Sequence, residues 1–162
     1  MAGVELELHN ATHNVSEFSC GTEPIDVWLK KHSLTGMRAN TSRTYVAVAD
    51  DQVAGYYAIS AGSLLRSDLP RNLRFEVPNH PVPLVLLARV GVDKKHQGQG
   101  LGTVLVLDAI RKALMVGENV GVFCVATNAK DDLAKGFYHS MGFKSSKSDT
   151  QLMLFPLKFP IR

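Results

Sequence analysis

The sequence predicts an α/β protein built on a central mixed sheet with helices on both faces, and three observations predict it. Strand-patterned and helix-patterned runs alternate along the whole chain. Two of the strand runs, residues 84–92 and 120–127, are apolar almost throughout, as strands covered on both faces are. A glycine-rich turn joins the first of these directly to a helix-patterned run.

Each element follows from local chemistry. Residues 4–8 alternate apolar and polar, the period of a half-buried strand. Thr22-Glu-Pro reads as a helix start, with Ile25, Trp28, Leu29 and His32 on one face. Residues 43–49 and 53–61 are β-rich and joined by Asp50-Asp51-Gln52, which predicts a hairpin. Pro70, Pro78, Pro81 and Pro83 punctuate residues 63–83, a long connection of the kind that is functional or mobile, with room for a short helix. After the apolar strand 84–92, residues 101–116 form a helix whose wet face groups Asp108, Arg111 and Lys112. Strand 120–127 follows, then a helix over 130–141 capped by Asn128 and ended by Gly142. Short strands at 143–148 and 151–157 close the chain.

Composition bounds the function. The 162 residues suit one domain, 1–162, with one sizeable core. A 45% hydrophobic and 20% charged content excludes disorder, and the longest aliphatic stretch, residues 84–88, is too short to span a bilayer. Residues 1–9 carry no basic start and no apolar signal core, so a cytoplasmic protein without a membrane partner is expected. The net charge of +3 divides unevenly: residues 1–81 carry −2 and residues 82–162 carry +5. The second half therefore favours anions. Cys20 and Cys124 lie far apart in apolar surroundings and suit buried free thiols; no histidine has a metal-ligand neighbourhood, so no metal is expected.

The sharpest local feature is Gln97-Gly-Gln-Gly-Leu-Gly102 between a buried strand and a helix. Glycine lets a backbone turn tightly and approach a ligand, and the N–H groups of a helix N-terminus suit a pyrophosphate. Lys94 and Lys95 add positive charge just upstream. A Walker loop fails for want of Lys-Ser/Thr after Gly102, and a dinucleotide fingerprint starting at Gly98 fails at Thr103. The pattern Q/R-x-x-G-x-G/A fits Gln97, Gly100 and Gly102.

That pattern resembles the acyl-CoA pyrophosphate loop of the GNAT superfamily of N-acyltransferases. A second segment, Asn128-Ala-Lys-Asp-Asp-Leu-Ala-Lys-Gly-Phe-Tyr-His-Ser-Met-Gly-Phe143, is similar to the family's N-x-x-A-x-x-F-Y-x-x-x-G-F signature and stands in the right order. A narrower resemblance covers the first half too. Phe18-Ser-Cys-Gly, Asp26-Val-Trp-Leu29, Arg43-Thr-Tyr-Val46, Gly55-Tyr-Tyr-Ala58 and Leu87-Ala-Arg-Val-Gly-Val-Asp93 look like the GNAT toxins of bacterial toxin–antitoxin modules. Val90-Gly91 departs from the Leu-Ala usual in that branch.

The resemblance implies the GNAT fold, with a splayed strand pair that admits acetyl-CoA as co-substrate. It implies cofactor contacts from Val90, Val92, Lys95, Gln97, Gly98, Gln99, Gly100, Leu101, Gly102, Thr103 and Asn128, and places Tyr138 beside the CoA sulfur as catalytic acid. Read alone, Tyr138 also fits a core position beside Ala134, Phe137 and Met141 on one helix face. No general base stands out: Asp93, Glu76 and His96 are conceivable, and each also reads as a surface or loop residue. An α-amine, with a reference pKa of about 7.7–8.0, keeps a useful neutral fraction near pH 7 and can react without a dedicated base. The toxin branch implies an aminoacyl-tRNA acceptor, and Arg89, Arg66 and Arg74, with Arg71 nearby, are candidates for its basic rim. It also implies a small antitoxin of the ribbon-helix-helix type, and homodimers are common in the branch. Two alternatives stand beside the toxin reading. One is acetylation of a small amine or protein N-terminus; the other is an acyl-CoA sensor without turnover.

Overall fold

The computed structural model of the chain describes residues 4–149 and 151–159. In chain order the elements are β1 (Leu6–Leu8), α1 (Glu23–Lys31), α2 (Ser33–Arg38), β2 (Arg43–Ala49), β3 (Gln52–Leu64), α3 (Arg71–Arg74), β4 (Val82–Val92), α4 (Leu101–Gly117), β5 (Cys124–Asn128), α5 (Asp132–Ser140), β6 (Lys144–Ser145) and β7 (Leu152–Pro156). Single 3₁₀ turns occupy Arg66–Asp68 and Lys94–His96. The strand order is β1-β2-β3-β4-β5-β7-β6. The sheet is mixed, because β4 runs parallel to β5 while β1·β2, β2·β3, β5·β7 and β6·β7 are antiparallel. Among the described residues no helix is long and apolar enough to cross a membrane.

The chain divides into two compact units. One takes the residues up to Ser60 with Ala88–Ala109, the other Ala61–Leu87 with the chain from Ile110 onward.

In the first unit Phe18, Cys20, Leu29, Val46, Val53 and Tyr56 form the core. Pro24 sits in the first turn of α1, where its missing N–H costs nothing. The helical pattern read through residue 32 breaks at His32, whose backbone leaves the helical region before α2 resumes. The β2–β3 hairpin turns on Asp50 and Asp51 alone, since Gln52 already pairs with Ala49. Both aspartates have positive φ, 52° and 61°, the pair of values a two-residue I′ turn requires. Gly91 explains its own presence: a Cβ there would come within 2.8 Å of Ile25 and 3.3 Å of Phe18. The departure from Leu-Ala at Val90-Gly91 is thus matched by the close approach of α1.

One expectation is corrected in this unit. Asp108 is not on a wet face; it is buried and accepts the Tyr57 hydroxyl. Helical periodicity placed it with Arg111 and Lys112, but a tyrosine from another element supplies the hydrogen bond that a buried carboxylate needs.

Near the start of the chain, His9 lies buried against His13, the rings stacked 5.4 Å apart. Burial, and then the neighbouring His13, push the His9 pKa down to about 4. Unfolded histidine titrates near 6.5. Between pH 6.5 and 4 the unfolded chain therefore takes up a proton that the fold refuses, and stability falls as pH falls across that window. Urea midpoints measured from pH 7 to 4 are expected to show this loss, and His9→Gln to blunt it. An equal slope in both proteins would assign the acid sensitivity elsewhere.

In the second unit Leu69, Leu73, Val82, Leu84, Cys124, Ala126 and Leu154 are the core. The connection read over 63–83 is shorter than expected, because β3 runs to Leu64 and β4 begins at Val82. The connection is also anchored by Leu69 and Leu73, both buried. Strand β5 begins only at Cys124, and both cysteines are buried free thiols. Burial raises the Cys124 thiol to about 12.

The cap of α5 is Asp131, not Asn128: its carboxylate accepts the Ala134 amide at 2.8 Å. Such a cap is worth about 1 kcal/mol. Asn128 instead ends β5, paired with Leu152, and its side chain is exposed. Gly142 follows the helix with φ of 100°, the left-handed terminus expected of it.

Candidate active site

In the first unit β4 ends at Val92 and Asp93 turns the chain. Asp93 is buried; one oxygen accepts the Ser19 amide at 3.0 Å and the other the Lys95 amide at 2.9 Å. Its own amide donates to Ala54 O. Both carboxylate oxygens are therefore engaged in holding the turn, which gives Asp93 a structural duty. Glu76 is exposed on the 65–81 connection, and His96 stands 4.0 Å from Asp93.

Gln97 braces the glycine turn. Its side-chain amide donates to Cys20 O at 2.8 Å and Val92 O at 2.9 Å. Gly98 and Gly100 then take φ of 78° and 83°, which L side chains adopt only at a cost. An added Cβ at either would meet nothing within 4 Å. The glycines are therefore set by backbone conformation, and the space before them is open. Leu101 is buried and roots α4, while Gln99, Gly100 and Thr103 are exposed and Gly102 is half-buried. The first turn of a helix of this length presents amide N–H groups without helical partners, an anion-binding arrangement.

The two lysines upstream, Lys94 and Lys95, are both exposed, and Lys94 lies beside Gly21, where an added Cβ would meet its Cε at 3.4 Å. Val90 and Val92 are half-buried. The Arg89 guanidinium sits 4.9 Å over the Trp28 ring, which itself stacks on Tyr56 at 6.1 Å. A cation over an indole face is held in place without losing its charge.

In the second unit the parallel rungs between β4 and β5 are Leu84↔Cys124, Val85↔Val125 and Leu86↔Ala126. Beyond them Thr127 Oγ1 donates to Leu87 O at 2.8 Å, a side-chain bond standing where the next main-chain rung would fall. Thr127 is also the polar side chain that interacts with the Tyr138 hydroxyl.

Tyr138 is 7% exposed, with its ring 5.1 Å from Phe143 and 5.3 Å from Phe137. Burial raises its pKa above the ordinary tyrosine value, and the Thr127 bond offsets this in part. The hydroxyl thus keeps its proton at neutral pH. The sequence left two readings of Tyr138, core or acid. The side chain is in the core, and its hydroxyl has a polar partner.

Arg66 Nε donates to Val77 O and Arg74 Nη2 to Leu69 O, both at 3.1 Å. These two arginines cross-link their own connection, and Arg71 is exposed. Sequence reasoning missed Thr127 and the structural duty of Asp93. The available signals were a lone polar residue ending an apolar strand and an Asp two residues before Lys95, the spacing of an Asx turn.

The first unit thus carries an open glycine turn that leads from a buried strand into a helix, and the second carries a buried tyrosine on a later helix. Residues 40–145 match the acetyltransferase (GNAT) domain family, and the chain belongs to that family. It is 34% identical over 145 residues to the tRNA-acetylating toxin of Mycobacterium tuberculosis, covering 90% of this chain and 87% of that one. Among solved structures, AtaT complexed with acetyl-methionyl-tRNAfMet is 27% identical with a TM-score of 0.88, over 94% of each chain. A tyrosine-to-phenylalanine mutant of AtaT, bound to the C-terminus of the antitoxin AtaR and acetyl-CoA, is 26% identical with a TM-score of 0.79. That match covers 94% of this chain and 92% of the other.

Proposed function

We propose that this acetyltransferase is the toxin of a toxin–antitoxin module and acetylates the α-amino group of aminoacyl-tRNA, so blocking translation. The observation that carries the acceptor assignment is the 34% identity to a tRNA-acetylating toxin along 90% of the chain. A family likeness confined to residues 40–145 would have supported only a cofactor and a fold. That match draws on both units, which supports reading residues 1–162 as one functional domain.

The chain's residues fit acetyl-CoA. The open, positive-φ turn at Gly98 and Gly100 and the first amides of α4, at Leu101, Gly102 and Thr103, would hold the pyrophosphate, with Lys95 and Gln99 at its edge. Gln97 acts from behind, holding the turn in shape through Cys20 O and Val92 O. Main-chain groups at Val90 and Val92 and the exposed side chain of Asn128 would receive the pantetheine arm. Acetyl-CoA supplies an activated acetyl group as a thioester.

Tyr138 holds a proton on its phenolic oxygen and delivers it to the departing sulfur, while Thr127 keeps the hydroxyl oriented. Arg89, seated on Trp28, offers a fixed positive charge to the acceptor's phosphates, and Arg66 and Arg74 stiffen the 65–81 connection. With Asp93 engaged and no other base in evidence, the α-amine loses its proton to water, which its reference pKa of about 7.7–8.0 permits. The module's antitoxin is read as a small ribbon-helix-helix protein and the site of action as the cytoplasm.

The test is transfer of labelled acetyl from acetyl-CoA to a pool of charged tRNA, with uncharged tRNA and polyamines as parallel acceptors. Label on charged tRNA alone, lost when the aminoacyl ester is hydrolysed, is the expected result. Label on polyamines alone would keep the cofactor and return the acceptor to a small amine. Acetyl-CoA binding without any transfer would favour the sensor.

A further inference from the structure

We propose that Asp93 and Asp26 are positioning residues for acetyl-CoA, which together fix the 18–21 segment that braces the glycine turn. The proposal rests on the acetyl-CoA reading above and adds to it a segment, and an aspartate on α1, which that reading does not use.

Glycine makes the shape of the turn possible but does not hold it. A chain with positive φ at Gly98 and Gly100 has other conformations open to it, and fixing one of them costs binding energy unless it is fixed beforehand. The bracing comes from residues far earlier in the chain. The Ser19 amide donates to Asp93 Oδ2 at 3.0 Å, and Ser19 O accepts the Lys94 amide at 2.8 Å. Cys20 O accepts the Gln97 side-chain amide at 2.8 Å. Three bonds thus tie residues 93–97, the approach to Gly98, to two consecutive residues of one segment.

That segment is held from its other side by α1. Phe18 and Cys20 are buried, and the Cys20 amide donates to Asp26 Oδ1, in the first turn of α1, at 2.8 Å. The Cys20 main chain is therefore gripped twice, its N–H by α1 and its C=O by the turn. Helix α1 is itself fixed to the sheet, where the Tyr56 hydroxyl donates to Ile25 O at 2.6 Å. Residues 18–26 precede the matched span 40–145, so that span alone lacks Ser19, Cys20 and Asp26.

The contacts divide by what they depend on. The Lys94–Ser19 bond is main chain to main chain and survives any side-chain change. The Asp93 carboxylate supplies two others, to the Ser19 amide and, at 2.9 Å, to the Lys95 amide. The Asp26 carboxylate supplies the one to Cys20. Truncating either aspartate leaves Phe18 seated in the core and loosens the turn.

Equilibrium titrations on the full chain test this without any acceptor. The two probes are CoA and pantetheine, which carries the same arm and thiol but no phosphate. Asp93→Ala is expected to weaken CoA about tenfold and to leave pantetheine within about twofold, since Val90 and Val92 are untouched. Asp26→Ala, one bond further from the turn, is expected to weaken CoA about threefold in the same selective way. Asp26→Asn keeps the acceptor oxygen and is expected to bind CoA like the wild type. This pair also decides the matter should Asp93→Ala fail to fold. The sign is informative, because removing a carboxylate near an anion's seat would by charge alone tighten CoA. Unchanged or tighter CoA binding in the folded alanine variants would overturn the assignment, as would equal losses for CoA and pantetheine. Failure of the underlying reading shows in the wild type instead: equal affinity for the two probes would remove the pyrophosphate from the turn, and the proposal with it.

Discussion

Replacing Tyr138 by phenylalanine is expected to lower kcat by about 10²–10³-fold while leaving acetyl-CoA affinity unchanged. The split follows from where the residue sits. The ring packs on Phe137 and Phe143, and phenylalanine preserves both contacts. Only the hydroxyl is lost, together with its bond to Thr127. Removing a hydroxyl and its one partner bond costs stability by about 1 kcal/mol, which leaves the protein folded at the assay temperature. The deficit therefore falls on proton delivery. Isothermal titration with CoA and single-turnover acetylation would separate the two quantities, and undiminished turnover would return Tyr138 to a purely structural role.

The same assignment fixes a pH profile. Because burial holds the Tyr138 proton above the ordinary tyrosine range, the acid form persists through pH 10 and gives no descending limb below it. The ascending limb belongs to the acceptor, whose α-amine becomes nucleophilic as pH rises through about 7.7–8.0. A profile that rises through that region and then stays flat to pH 9.5 is the expected wild-type result. A descending limb near neutrality would mean that some other acid delivers the proton.

The sequence made the glycine turn legible because it is local. A glycine turn, its flanking lysines and the following helix are contiguous, and positive φ at Gly98 and Gly100 is what glycine spacing already implied. The hairpin at Asp50-Asp51 and the start of α1 were legible for the same reason. Contacts made at long range were not. Asp108 looks solvent-facing by helical period and is buried because Tyr57, distant in sequence, meets it. Asp93 looked free to act as a base and is held by Ser19, far from it along the chain. Asn128 looked like the cap of α5, and seeing that Asp131 takes that place required knowing how far β5 extends. Likewise, no periodicity could reveal that the 65–81 connection is bolted down by Leu69, Leu73 and Asp68.

Gly100→Asp is expected to abolish acetyl-CoA binding, and comparison with Gly100→Ala explains why. At φ of 83°, any L side chain costs roughly 1 kcal/mol of backbone strain, so alanine should lower stability modestly. Alanine has room, since a Cβ at this position meets nothing within 4 Å. Strain alone should therefore weaken CoA binding by no more than about tenfold. Aspartate shares that strain but extends a carboxylate into the open space where the pyrophosphate is expected, before the amides of α4. Two like charges about 4 Å apart at a partly screened surface repel by roughly 4 kcal/mol, on the order of a thousandfold in affinity. The repulsion is borne only by the complex, so the free Asp variant should melt close to the Ala variant. Equal and modest losses in both variants would mean that the anion lies elsewhere and that the turn serves only to redirect the chain.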